Sequence, residues 1–390
     1  MAVRDVVQAA AGVGGGGEYV EDVFSTYLYT GNNSTQTITN GIDLDGEGGM
    51  VWLKNRDSSA NHALFDTERG SGNGLESSTT ASETTSPYSG DLNGFNSNGF
   101  SLGSNYAQNV NSSGNEYASW TLRKSPKFFD VVTWTGNDVL GREIAHNLGS
   151  TPGCIIVKKT NGSYNWQIYH NAVGATKFLE FNTSQAQTSS AVWNDTAPTD
   201  SVFTVGNEYG VNQSGSTYVA YLFAHDAGGF GDDGEQNVIS CGSYVGNGST
   251  QTISLGYEPQ FILYKQATGT AGNWMMFDSM RGLTMGTDAA LYPNASNAEE
   301  YGDAFNPTAT GFIVNNNSAW NGSGETYIYI AIRRPMKTPE SGTEVFAIGQ
   351  GDGDADIPDF ISNFPVDAAI TKRTSSGNNG RMSSRLTGAN

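Results

Sequence analysis

The chain is short of several things at once. Of its 390 residues only 20 are Lys or Arg, against 39 Asp or Glu, and the formal net charge is −19. Phosphate backbones are bound by clustered cations, so nucleic acid is excluded as an expected partner. Two cysteines, Cys154 and Cys241, cannot build a disulfide framework and point to a reducing place of synthesis. No stretch approaches the ~18 consecutive apolar residues of a membrane helix, so no membrane insertion is expected. The opening Met1-Ala2-Val3-Arg4-Asp5 lacks the apolar core of a secretory signal. There is no G-x-S-x-G elbow, no P-loop and no H-E-x-x-H pair, and the four histidines are scattered. No catalytic residue is assigned, and no enzyme activity is expected.

What the sequence has instead is glycine, 50 residues of it, and 11% aromatics. Asn, Ser and Thr take the place of charge. That mixture describes short strands joined by polar turns, with enough aromatic surface for several small cores rather than disorder.

The main signal is internal repetition. Tyr29-Thr30-Gly31-Asn32-Asn33-Ser34-Thr35-Gln36-Thr37-Ile38 returns as Tyr244-Val245-Gly246-Asn247-Gly248-Ser249-Thr250-Gln251-Thr252-Ile253. A more divergent middle copy begins Trp134-Thr135-Gly136-Asn137. Three further landmarks follow in the same order each time. An apolar run ends at Lys54, Lys158 or Lys265. A segment closes at Asp66, His170 or Asp278, with Gly70, Gly174 or Gly282 four residues on. A last strand pair turns through Ser113-Gly114, Ser214-Gly215 or Ser323-Gly324 and resumes at Tyr117, Tyr218 or Tyr327. The expected organisation is an anchor and tether over 1–23, repeats over 24–126, 127–237 and 238–335, and a linker with an incomplete fourth repeat over 336–390. In that last segment Arg373-Thr374-Ser375-Ser376-Gly377-Asn378 matches Arg56-Asp57-Ser58-Ser59-Ala60-Asn61, and no closing strand pair follows. The expectation is a longer native chain, or a unit completed by another subunit.

Tyr218-Val219-Ala220-Tyr221-Leu222-Phe223 and Tyr327-Ile328-Tyr329-Ile330-Ala331-Ile332 are apolar at every position, so both strand faces should be covered. The predicted fold is all-β: a string of antiparallel, jelly-roll or lectin-like sandwiches preceded by a short N-terminal helix. In that helix Val3, Val6, Val7 and Ala10 make one apolar stripe before the Gly14 to Gly17 tether. So short a helix needs something to dock on.

Candidate sites are few. Cys154 and Cys241 read as core thiols. Asp66 and Asp278 precede Arg69 and Arg281 by three residues, which reads as a local ion pair closing a turn rather than a general acid. Asp352, Asp354 and Asp356 alternate as Ca²⁺ ligands do, but Ile357 and Asn363 stand where an EF-hand loop has Gly and Glu. A Ca²⁺ site there competes with a solvated acidic turn, and no other cofactor is expected. Before each Ser-Gly turn stand an aromatic residue and asparagines: Asn105 and Tyr106, Tyr209 and Asn212, Trp320 and Asn321. Aromatic faces stack on sugars and amides bond hydroxyls, so these tips are the candidate glycan contacts. The competing reading packs the aromatics beneath the loops.

The opening Tyr244-Val245-Gly246-Asn247-Gly248-Ser249, the middle Asn273-Trp274 with Phe277-Asp278-Ser279 and Arg281-Gly282, and the close Ser323-Gly324 with Tyr327-Ile328-Tyr329 resemble the ~100-residue repeats of marine bacteriophage tail-fibre and other virion structural proteins. The resemblance covers about 310 residues and is weakest in the middle copy, where His170 and Val173 replace the Asp/Arg pair. It implies a virion (tail) protein assembled in the host cytoplasm. Residues 1–20 would bind other virion proteins, the chain would form a homo-oligomer, most often a trimer, and distal units would touch a host-surface glycan or protein. A head-fibre, collar or baseplate protein without receptor contact is the alternative. A polysaccharide depolymerase is disfavoured, for no repeat gathers carboxylates.

Overall fold

A computed structural model describes residues 17–85, 90–105, 107–270, 272–349, 366–372 and 380–384. The expected helix at Val3, Val6, Val7 and Ala10, Tyr106, and the Asp352, Asp354 and Asp356 run lie outside the described residues. The fold is all-β and antiparallel, as the composition predicts.

Each repeat forms the same two-sheet unit. In the first, the larger sheet runs Phe24–Thr30, Glu116–Arg123, Gly49–Asn55, Ala63–Asp66, Asn73–Glu76, Thr84–Thr85 in spatial order. The strand opened by Tyr117 therefore lies between the first strand and the lysine-bearing one. Thr217–Phe223 and Thr326–Arg333 hold the same central place in the second and third units. A smaller sheet covers one face: Gln36–Thr39, Gly99–Leu102 and Leu92–Asn96 in the first unit, Gln251–Ser254, Gly311–Val314 and Phe305–Thr308 in the third. In the second only Arg142–Ala145 and Val202–Val205 pair there. Between the sheets of the first unit lie Tyr29, Val51, Leu53, Phe65, Phe100 and Tyr117, all buried. Tyr244, Ile262, Tyr264, Phe277, Phe312 and Tyr327 repeat the arrangement in the third.

The other face of each larger sheet explains the uninterrupted apolar strands. One continuous core joins Trp52, Trp120 and Leu122 of the first unit, Ile156, Trp166 and Tyr221 of the second, and Leu263, Trp274 and Ile330 of the third. Period-two alternation gives each strand an outward set for its own small sheet and an inward set for the neighbouring units. The packing closes on itself, with a cavity of about 10 Å³ left between Trp52, Trp120, Phe223, Leu263 and Ile330.

Backbone hydrogen bonds show the closure directly. Ala60 N of the first unit bonds Ser296 O of the third at 2.9 Å, Tyr164 N of the second bonds Thr80 O of the first at 3.0 Å, and Gly272 N of the third bonds Ser184 O of the second at 3.0 Å. A reciprocal set runs the other way: Glu299 N to Arg56 O, Glu83 N to Thr160 O and Gln187 N to Ala267 O, at 2.8–2.9 Å. Every unit touches both others through equivalent atoms. The linear string expected from tandem order is thus replaced by a ring with an approximate threefold axis inside one chain.

Candidate functional site

The tip loops are held by a device that all three units share. Gly31, Gly136 and Gly246 each pass the turn that precedes the central strand so closely that a Cβ would stand 2.1–2.2 Å from a carbonyl oxygen: of Ser112, Gln213 or Gly322. Glycine is required there by contact, not by dihedral. One asparagine then pins the two loops together. Asn111 is fully buried; its Oδ1 accepts from Asn32 N at 3.0 Å and Gln36 Nε2 at 2.6 Å, and its Nδ2 donates to Ser34 O at 2.7 Å and Gly103 O at 2.6 Å. Asn321 repeats this with Asn247 N at 3.0 Å, Gln251 Nε2 at 2.8 Å and Ser249 O at 2.6 Å. Asn212 does so with Asn137 N at 3.1 Å and Val139 O at 2.9 Å, and Arg142 stands where the others have glutamine. The opening signature Gly-Asn-x-Ser-Thr-Gln is therefore a hydrogen-bonding recipe for this clamp.

The candidate glycan contacts divide accordingly. Asn212 and Asn321 are 0% exposed and their amides are spent inside, so neither is displayed. Asn105, with φ of 66°, accepts from Asn111 N at 2.9 Å and donates to Ser112 Oγ at 2.9 Å. Trp320 is half-buried against the third unit's outer core. Tyr209 is 61% exposed and, among the described candidates, is the displayed aromatic. Asn111 escaped the sequence reading, although Asn111, Asn212 and Asn321 all stand three residues before the turn glycine.

The loops lie at one end of the central strands. At the other end Glu18 pairs with Arg123 and accepts from Ser125 Oγ at 2.6 Å, and Glu21 accepts from Met336 N at 2.6 Å. Chain entry, the linker at Lys124-Ser125 and the exit after the third unit thus gather at a base. With strands of seven or eight residues, base and tips are roughly 25 Å apart at ~3.3 Å per residue. A threefold relation sets the three tips at a common height.

Titratable groups concentrate at the seams. Asp66 bonds Arg69 at 2.6 Å in its own unit and accepts from Tyr221 Oη of the second unit at 2.8 Å. Asp278 bonds Arg281 at 2.6 Å and accepts from Trp120 Nε1 of the first unit at 3.0 Å. These are the expected turn-closing ion pairs, and each also receives a neighbour's donor. At the remaining seam the donor's place is Ile330 and the acceptor's is His170, whose Nε2 lies 3.3 Å from Tyr329 O. Burial pulls His170 down to about 4. Lys54, Lys158 and Lys265 are buried across the three seams and bond only backbone carbonyls, among them Ser296, Thr80 and Ser184 of the adjoining units. Burial pulls each down to about 8. Cys154 and Cys241 are free and buried, as core thiols. Among the described residues no group of three His, Cys, Asp or Glu side chains is placed to hold a metal ion.

No curated protein and no solved structure matches this chain. A single family model matches residues 20–335, which takes in all three units. With the tips and seams inside that span, the chain belongs to the family described as domain of unknown function DUF7483.

Proposed function

We propose that the chain is a tail-fibre or spike subunit of a virion, attached through residues 1–20 and presenting its three-unit ring to the host surface, where the tips meet a surface glycan or protein. The observation that carries this reading is polarity. Chain entry and exit sit at the base, held by Glu18 to Arg123 and Glu21 to Met336, while the clamped loops lie at the far end of the central strands. A tethered head needs that arrangement, since loops carried by a rigid sandwich are where binding usually sits. The expected trimer would be held by the anchor segment; within the ring the threefold contacts are already made by one chain.

A head-fibre, collar or baseplate role without receptor contact has one observation in its favour: Asn212 and Asn321 are buried and Trp320 half-buried, so much of the tip chemistry is spent inside. Competition separates the two readings. Purified full-length chain, added in excess to the virus and the bacterium on which it grows, is expected to slow adsorption. Unchanged adsorption kinetics, with the chain detected on particles by immunogold labelling, would favour the second reading.

A further inference from the structure

The three tips provide an internal control. The first half of the opening loop has one geometry in all units: Asn33, Asp138 and Gly248 take φ of 56°, 59° and 70°, and the side chains of Asn32, Asn137 and Asn247 accept from the backbone N–H two residues on, at 2.7–3.0 Å. The second unit then has one residue more, Gly141 with φ of 74°, before Arg142. Two units carry Ser34-Thr35 and Ser249-Thr250 at the exposed crest. The second carries Val139 and Leu140, 55% and 60% exposed. Since the other copies make the same asparagine-led turn with Ser-Thr, that turn does not require the aliphatic pair. Exposed, it gains nothing from burial and adds apolar surface to water. Tyr209, on the loop joined to it through Asn212, adds a third displayed apolar side chain. In the same two loops Glu143 and Glu208 are exposed, while the half-buried Arg142 is turned inward to Thr135 O and Asn212 Oδ1, on a chain of net charge −19.

We propose that the tip of the second unit is the receptor-contacting tip, and that its partner is a host-surface protein with an apolar depression rimmed by basic residues. Aliphatic side chains have no hydrogen-bonding groups with which to read sugar hydroxyls, but they fill protein pockets. The flanking carboxylates favour a basic rim and oppose self-association of so acidic a chain. This inference rests on the host-surface reading above and assigns that contact to one of three loops built on the same clamp.

The test is binding of labelled full-length chain to intact cells of the bacterium that the virus infects. The cells are left untreated, shaved with protease, or oxidised with periodate. The substitution pair Val139→Ser with Leu140→Thr installs what the other two units carry, so the fold and melting temperature are expected to stay unchanged. Binding is expected to fall at least tenfold in that variant and on protease-shaved cells, and to survive periodate. The reciprocal pair Ser34→Ala with Thr35→Ala, in the first unit, is expected to leave binding intact. Undiminished binding of the second-unit variant overturns the assignment while leaving the host-surface reading in place. Binding lost to periodate but not to protease overturns the protein partner in favour of a glycan. Failure of the unmodified chain to bind any of the cells overturns both readings.

Discussion

Two of the three seams in the ring are locked by charge and the third is not. At the first two, an Asp/Arg pair from one unit accepts a hydrogen bond from an aromatic side chain of the next: Tyr221 to Asp66, Trp120 to Asp278. At the third, Ile330 offers no donor, and the facing position has lost its carboxylate and guanidinium together, leaving His170 and Val173. Both sides of the seam changed in step. A buried carboxylate facing Ile330 would lack its cross-seam donor, and a neutral imidazole tolerates the apolar neighbour. At this seam the divergence of the middle repeat is matched by the residue that faces it from the third unit.

The largest effect should come from breaking a charged lock. Asp278→Ala removes the nearer of two carboxylates from Arg281, whose side chain is fully buried, and leaves it only Glu299 at 3.2 Å. A fully unpaired buried charge costs about 3–5 kcal/mol, and the remaining carboxylate sets this loss toward the lower end. Asp66→Ala is expected to cost somewhat less, because Glu83 bonds Arg69 at 2.7 Å, whereas Glu299 lies 3.2 Å from Arg281 and is shared with Arg56. Urea denaturation of both variants checks the order. Equal, small losses of stability would show that the locks are incidental.

Acid should weaken the seams that bury a histidine. His170 is held at about 4 when folded, by burial, against ~6.5 unfolded. The native state binds fewer protons than the unfolded state between those values, so the neutral ring contributes stability above about pH 6.5 that is lost as pH falls toward 4. The full shift corresponds to an upper limit of about 3 kcal/mol at ~1.4 kcal/mol per unit. His62, buried at the seam between first and third units, is likewise held well below its usual value by burial and adds to the acid loss. His170→Gln is expected to flatten the stability profile between pH 4 and 6.5 by roughly one proton's worth. An unchanged slope in pH-dependent urea melts would mean that His170 is solvated.

How much of this could be read from the sequence depends on which contacts are local. Period-two alternation and the Gly, Ser-Gly and Tyr landmarks are properties of neighbouring residues, and they give the strands and the two-sheet unit. The ring is a property of residues far apart: Trp120 and Asp278 are 158 positions from one another. A strand apolar on both faces says that its inner face is covered, not by what, so a linear string and a closed ring share one pattern. The tip was open to two readings for another reason. Asn212 and Asn321 beside an aromatic look the same whether their amides face water or the neighbouring backbone; only the spacing shared with Asn111 hinted at a clamp.

Smaller effects sharpen the contrast between seams. Tyr221→Phe deletes one hydroxyl bonded to a buried carboxylate and should cost about 1.5–3 kcal/mol, the range for hydrogen bonds to charged groups. At the same place in the third unit, Ile330→Val removes one methylene from the shared core and should cost about 0.5–1.5 kcal/mol. The difference is mechanistic as well as numerical, and double-mutant cycles isolate it. Pairing Tyr221→Phe with Asp66→Asn should give a coupling energy within the ~0.5–3 kcal/mol seen for contacting residues, because each change removes one side of the same bond. Pairing Ile330→Val with His170→Gln should couple near the bottom of that range, about 0.5 kcal/mol, because no hydrogen bond joins the two side chains. The polar partner of His170 is the backbone carbonyl of Tyr329, which a side-chain change at Ile330 leaves in place. Strong coupling at that seam would mean that the imidazole is held by packing against Ile330 rather than by the carbonyl, and the three seams would then differ in strength but not in kind.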